Sequence, residues 1–284
     1  MHLGASSAIA NRIRKIVVDG LSVNPLSDLD PAPIVLMIPV ASRDFRTLNI
    51  NLESAFQNIL NPILQTYILT PNVQNIAGLP LDRGIRVMAD DDLLGENFIQ
   101  RVNPIISRWE KRIPRGWFVQ QLLKLEFARV SNSQGVLVLD SETMLLRPRS
   151  FLSSSNVQLL IPSYEFHKPY EDHYRRAFSA RLGQSLVSRL SFVSHHQVLQ
   201  PSIVREMFPS QDSLIEWLEL GDPMSYSSPV SEYHTYGRYI VDRHPTRFVL
   251  GSFRNKAARY DPSTDYPRLL GKQFNSISFH AYAR

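Results

Sequence analysis

Apolar segments and helix-patterned segments alternate through the first half of this chain, and that alternation constrains its fold more than any other feature. "IVLMIPV" (Ile34 to Val40) is a continuous apolar run, the pattern of a strand covered on both faces. "TYILTP" (Thr66 to Pro71) reads as a second strand stopped by proline, "GIRVMADDD" (Gly84 to Asp92) as a third, and "GVLVLD" (Gly135 to Asp140) as a fourth. Between them lie segments with helical spacing. One runs from Leu48 to Leu60, and another, "ENFIQRVNPIISRWEKR", is interrupted by Pro104. The third, "RGWFVQQLLKLEFARV" (Arg115 to Val130), reads as a strong amphipathic helix. Strand–helix alternation of this kind predicts an α/β fold with a mostly parallel central sheet and helices on both faces.

Beyond Phe151 the pattern is mixed. "VQLLIPS" reads as a strand, and "SIVREMF" and "SLIEWLEL" as helices, while the last ~30 residues are polar and tyrosine-rich without clear periodicity. "NPLSDLDPAP" (Asn24 to Pro33) is a loop rich in turn formers, and no linker separates two independent domains within the 284 residues.

In open α/β sheets ligands bind beyond the carboxyl ends of the strands. "GVLVLDSETMLLRP" places Asp140 at such an end, with Glu142 two residues on. If the chain bends at Ser141, both carboxylates turn toward one crevice. Together with phosphate oxygens and water they then suit a hard cation such as Mg²⁺ or Mn²⁺. A turn or helix cap built from Asp-Ser-Glu is the structural alternative. A rival acidic group, Asp90, Asp91 and Asp92, follows the third strand, where it also reads as a solvated helix start.

Composition narrows the chemistry. The chain has no cysteine, which excludes disulfides, thiolate zinc sites and a cysteine nucleophile. A net charge of +5 suits an anionic ligand, and no basic run with interleaved aromatics points to nucleic acid. No stretch approaches the ~20 apolar residues of a membrane span, and none forms a signal-peptide core. The expectation is a cytoplasmic protein, with Arg12, Arg14 and Lys15 available for peripheral contact with a membrane at its cytoplasmic face. The phosphate loop of P-loop ATPases, the nucleophile elbow of α/β-hydrolases, the zincin motif and the dinucleotide fingerprint are all missing from the sequence.

Four segments carry a resemblance. "GWFVQQLLKL" (Gly116 to Leu125), "LDSETMLLRP" (Leu139 to Pro148), "SFVSHHQV" (Ser191 to Val198) and "SEYHTYG" (Ser231 to Gly237) occur in that order. The chain resembles nucleotide-sugar glycosyltransferases of the GT-A type. More closely, it resembles a little-characterised glycosyltransferase family found among bacterial polysaccharide genes. That family carries a Gly-Trp-x-x-Gln-Gln-x-x-Lys helix, a Leu-Asp-Ser-Asp strand end, a Ser-Phe-Val-x-His-His segment and a Ser-Glu-Tyr-x-x-Tyr-Gly segment. The match spans roughly residues 30 to 240, with Glu142 standing where the family has aspartate.

The resemblance implies a GT-A-like (Rossmann-like) domain over residues 1–284, with a nucleotide-sugar-binding half at about 30–150 and a smaller acceptor-side half at about 151–284. It implies a nucleotide-sugar donor, a glycan or glycolipid acceptor, and sugar transfer in surface polysaccharide biosynthesis with Mn²⁺ or Mg²⁺. Asp90, Asp91, Asp92, Gln121, Lys124, Asp140 and Ser141 fall on the donor side. Asp140 and Glu142 would hold the metal of a DxD-type motif, completed by the late His280. Trp117 and Leu125 are expected in the core. His195, His196, Tyr233 and Tyr236 are expected on the acceptor side, although His195 and His196, adjacent on a strand, should point to opposite faces.

An inverting transferase needs a carboxylate to take the proton of the attacking hydroxyl, and Glu232, from the later half, fits that role. Glu165 and His196 are the other bases in reach of the pattern. Two different readings use the same residues. Paired acids also hold Mg²⁺ in nucleotidyltransferases and phosphotransferases, though "IPVASRDFRT" lacks the glycines of a phosphate loop. A non-catalytic glycan-binding protein would keep the fold and lose the reaction.

Overall fold

A computed structural model describes residues 14–76, 84–163, 166–179, 187, 190–225 and 228–280. The first half folds into β1 (Ile34–Pro39), α1 (Phe45–Asn58), β2 (Ile63–Thr70), β3 (Ile85–Ala89), α2 (Asp90–Leu94), α3 (Glu96–Ile106), α4 (Arg115–Val130) and β4 (Val136–Leu139). The second half adds β5 (Thr143–Leu145), β6 (Gln158–Leu160), α5 (Lys168–Phe178), β7 (His196–Leu199), α6 (Pro201–Met207) and α7 (Gln211–Glu219). It closes with α8 (Glu232–Arg243), β8 (Phe248–Leu250), β9 (Asn255–Ala258), α9 (Tyr266–Leu270) and β10 (Ser276–Phe279).

The central sheet has the order β3-β2-β1-β4-β7. β1 pairs in parallel with β2 and β4, β2 pairs in parallel with β3, and β7 runs antiparallel on β4. All six residues of β1 are buried. Its alternate side chains part to opposite faces, as the two-residue period of a strand requires. Val35 and Met37 pack with Phe118, Leu122 and Trp109, whereas Ile34, Leu36 and Ile38 pack with Leu48, Leu52 and Ala55 of α1. Both faces are therefore covered, and the run reads as unbroken hydrophobicity. At Gly135, just before β4, an added Cβ would stand 2.6 Å from Leu152 Cδ2, so only glycine lets the strand enter this layer without displacing a neighbour.

Three local features depart from the sequence pattern. α3 continues through Pro104, two residues from its end, where the missing donor forgoes a single hydrogen bond. α2 begins at Asp90, one residue beyond β3, so the acidic triplet starts a helix. α4 is buried nearly all round rather than along one stripe. Its polar residues find partners inside: Glu126 pairs with Arg129 and accepts from Gln211, while Gln121 and Lys124 bond to groups at the start of α8. Burial of such groups is tolerated only when they are paired.

The polar C-terminal stretch forms part of a second sheet, β5-β10-β9. β10 lies antiparallel to β5, with Ile277 opposite Met144 and Ser278 opposite Thr143. Its register carries residue 280 back to the end of β4. A third pairing joins β6 and β8 in parallel.

Candidate active site

The turn after β4 is fixed before any side chain is considered. Thr143 N donates to Asp140 O at 2.9 Å, closing the bend at Ser141. Asn51, on the buried face of α1, donates from Nδ2 to Ser141 O at 2.5 Å, and Ser141 Oγ donates to Asp44 Oδ2 at 3.1 Å. Across the sheet Asp140 N donates to His195 O at 2.9 Å, and on the other side Phe279 N donates to Glu142 O at 2.9 Å. Asp44, Asn51, His195 and Phe279 thus meet at one three-residue turn.

This turn forms part of the wall of a cleft of about 800 Å³ at the carboxyl ends of β1, β2, β3 and β4. Asp90, Gln120, Gln121, Lys124, Asp140, Ser141, Glu142, His195, Glu232 and Tyr233 all line it. Lys124 is its electrostatic centre. Its Nζ donates to Asp140 Oδ1 at 2.7 Å and to Glu232 Oε1 at 2.8 Å, and lies 4.2 Å from the centre of the Tyr233 ring. Burial would lower the Lys124 pKa, but the two carboxylates more than offset it and hold it well above the usual lysine range. Burial likewise pushes Asp140 up, and the Lys124 charge together with His195 overcomes that and keeps it well below the usual carboxylate range. Tyr233 donates its hydroxyl to Asp140 Oδ1 at 3.1 Å; burial first and Asp140 second raise its phenol well above normal. Asp140 and Glu232 are therefore separated by one ammonium group.

Gln121 contributes to the same corner by structure rather than charge: its Oε1 accepts the backbone N–H of Glu232 at 3.1 Å, satisfying a free donor at the start of α8. Gly237 lets α8 settle against the segment before β7, since a Cβ there would overlap Phe192. Beyond Asp140, Glu142 faces two imidazoles. His280 Nδ1 stands 2.7 Å from Glu142 Oε1, and the His195 and His280 ring centres are 5.2 Å apart. One donor atom from each of Glu142, His195 and His280 lies within 4.8 Å of the others. The Glu142 hydrogen bond is the main cause that raises the His280 pKa, against the opposing effect of burial.

Four of the residues named from the sequence are not brought to the cleft. Asp91 and Asp92 are exposed on α2, and only Asp90 turns inward; burial, with Asp91 beside it, pushes its pKa up to about 6 against the pull of Arg115. His196 is buried under the sheet between Phe151 and Phe253, with no hydrogen-bond partner at either ring nitrogen. Burial drives its pKa down to about 3. It is the strand alternation that sends His195 to the cleft and His196 to the core. Tyr236 is also a core residue: its hydroxyl donates to Gln158 Oε1 at 2.7 Å and accepts from Gln200 N at 2.9 Å. Glu165 lies outside the described residues.

Other cleft residues were not singled out by the sequence. Trp117, expected in the core, is half-buried and lines the cleft while packing edge-on against Phe118. Arg43, Asp44, Arg112, Arg115 and Tyr170 line it too. Asn51 did carry a signal, being a polar residue in helical phase with Leu48, Leu52 and Ala55.

No protein-family model matches the chain, and no curated protein does. Solved structures match its fold. One is mouse xyloside xylosyltransferase 1 in its apo form, with a TM-score of 0.50 and 10% sequence identity over 89% of this chain and 99% of that one. The fold is GT-A-like. At that identity the likeness speaks for the fold alone. Among the described residues no helix is long and apolar enough to cross a membrane.

Proposed function

We propose that this chain is a glycosyltransferase, moving a sugar from a nucleotide-sugar donor to a glycan or glycolipid acceptor in an inverting single displacement. The observation that carries the reading is the Asp140–Lys124–Glu232 arrangement in a cleft at the carboxyl ends of a GT-A-like sheet. A departing nucleoside diphosphate develops negative charge; Lys124 is already shared by two carboxylates, so the arginines of the cleft are the residues that would meet it. Arg43, Arg112 and Arg115 add positive charge to the same cleft.

The roles follow from this placement. Glu232 takes the proton of the acceptor hydroxyl as that oxygen bonds to the sugar's anomeric carbon, and the bond to the diphosphate breaks with its electrons leaving on the diphosphate. Trp117, Tyr170 and Tyr233 supply aromatic surface for sugar rings. The donor atoms converging at Glu142, His195 and His280 fit a divalent cation, which when bound would neutralise diphosphate charge. The division into a donor half (about 30–150) and an acceptor half (about 151–284), and a place in surface polysaccharide assembly at the cytoplasmic face, rest on the sequence resemblance.

A thermal-shift panel of UDP-, GDP-, CMP- and dTDP-sugars with Mn²⁺ tests the donor, since a ligand that binds only the native state raises stability by RT ln(1 + [L]/Kd). One nucleotide class should raise Tm and then release its nucleotide (UDP, GDP or dTDP, or CMP from a CMP-sugar) slowly in water. Stabilisation by nucleoside triphosphates alone, with pyrophosphate release, would replace this reading with nucleotidyl transfer. Donor binding without any turnover would point to a glycan-binding protein.

A further inference from the structure

The end of β4 presents two acids, and the structure gives them different surroundings. Asp140 is already committed. Its Oδ1 accepts from Lys124 Nζ at 2.7 Å and from Tyr233 at 3.1 Å, and its Oδ2 stands 3.7 Å from His195 Nδ1. A divalent ion bound to Oδ1 would share that oxygen with a buried ammonium, a like-charge contact that is costly away from bulk water. Glu142 has no such competitor. Its neighbours are two imidazoles delivered by separate backbone pairings: His195 by the hydrogen bond between its carbonyl and Asp140 N, and His280 by the one between Phe279 N and the Glu142 carbonyl. The three donor atoms lie within 4.8 Å of one another, so little movement would bring them to one ion.

We infer that the cation site of this protein is Glu142, His195 and His280, two imidazoles and one carboxylate, with Asp140 withheld from the ion by Lys124. Its donor set then selects the class of metal. Mg²⁺ favours oxygen ligands in strict octahedral geometry and keeps its waters, whereas imidazole nitrogen suits first-row transition ions such as Co²⁺, Ni²⁺ and Zn²⁺, with Mn²⁺ at the weak end of that series. Three protein ligands leave coordination positions open for phosphate oxygens. The inference rests on the proposed function only for the ion's purpose; the site itself stands on these three residues.

The test measures metal binding directly on the full chain, without donor or turnover. Calorimetry should give one Mn²⁺ per chain, with Mg²⁺ weaker by about 100-fold or more on donor-softness grounds. Pulsed EPR of bound Mn²⁺ should show coupling to imidazole nitrogen. His195→Ala, His280→Ala and Glu142→Gln should each weaken Mn²⁺ by about tenfold or more, while Asp140→Asn, which removes a carboxylate standing beside His195, weakens it less and keeps the coupling to imidazole nitrogen. Circular dichroism and Tm of each variant separate lost ligation from lost folding, and His195→Ala, at the half-exposed ligand, serves if the His280 variant does not fold. Equal affinity for Mg²⁺ and Mn²⁺, absence of nitrogen coupling, or an Asp140→Asn loss as large as that of Glu142→Gln would overturn the assignment. So would the absence of any Mn²⁺ binding. Glycosyl transfer that proceeds without metal would then leave the proposed function standing.

Discussion

Lys124 and Glu232 are 108 positions apart in the chain, yet Nζ of one lies 2.8 Å from Oε1 of the other, and the same Nζ holds Asp140 at 2.7 Å. The ammonium is 4% exposed, Glu232 is 6% and Asp140 is 18%. One positive charge thus serves two carboxylates that water reaches poorly. Replacing Lys124 by Met keeps much of the volume and removes the charge, leaving both acids without their cation. Breaking a buried pair from one side typically costs ~3–5 kcal/mol, so Lys124→Met should lose stability of that order in urea unfolding. Adding Glu232→Gln to it should return part of the loss. No change in Cm for the single variant would show that the carboxylates do not depend on Lys124.

The proposed reaction makes a separate demand on Glu232. Glu232→Gln keeps the size of the side chain, and its amide oxygen can still accept from Lys124, but it cannot take a proton. It should lower kcat by ~10²–10⁴-fold with donor affinity near that of the unmodified protein. Weakened donor binding with normal kcat would make Glu232 a donor-pocket residue and remove it as the base.

The central sheet was legible because its strands are covered on both faces: a run such as Ile34 to Val40 admits few other readings. What escaped were elements whose polar residues pair with one another inside the fold. α8 has no apolar stripe, since Glu232 to Ile240 are buried without a break and several of them are polar or charged. His234 and Arg238, for instance, turn to Glu171 on α5 at 3.2 Å each. β9 and β10, four residues each, are too short for alternation to register and are made by pairing, not by pattern. The site divides the same way. Asp140 and Lys124 stand out as polar residues in apolar company, whereas Glu232, in Ser-Glu-Tyr-His-Thr-Tyr, is reached through the resemblance. The convergence of Glu142, His195 and His280 depends on the registers of β4 with β7 and of β5 with β10, which no local spacing encodes.

Tyr236 illustrates the cost of reading a tyrosine-rich motif as a sugar platform. Its hydroxyl bridges Gln158 and the backbone N–H of Gln200 in the core. Tyr236→Phe should leave those groups short of a partner and cost ~1–3 kcal/mol of stability, with donor and acceptor KM unchanged. Tyr233→Phe, by contrast, should alter kinetics, because its hydroxyl donates to Asp140 within the cleft. A KM shift for Tyr236→Phe matching that of Tyr233→Phe would contradict the placement of the two rings.

Asp90 gives the pH dependence a sign. It is 9% exposed, its Oδ1 has no hydrogen-bond partner, and burial with Asp91 raises its pKa from 3.8 to about 6, while Arg115 pulls the other way. Between those two values the folded chain holds a proton that the unfolded chain has released. Stability from this group is therefore fully present below the unfolded pKa and is lost as pH rises through about 6. At 1.36 kcal/mol per pKa unit the loss is at most ~3 kcal/mol, and residual solvent contact reduces it. Asp90→Asn does not titrate in this range. Relative to the unmodified protein, the variant should gain stability between pH 4 and pH 7 by up to that amount, read as a widening difference in urea midpoint. A difference that stays flat across this range would show that Asp90 is solvated as an ordinary surface carboxylate, and that the buried, proton-holding side chain at the end of β3 does not exist in solution.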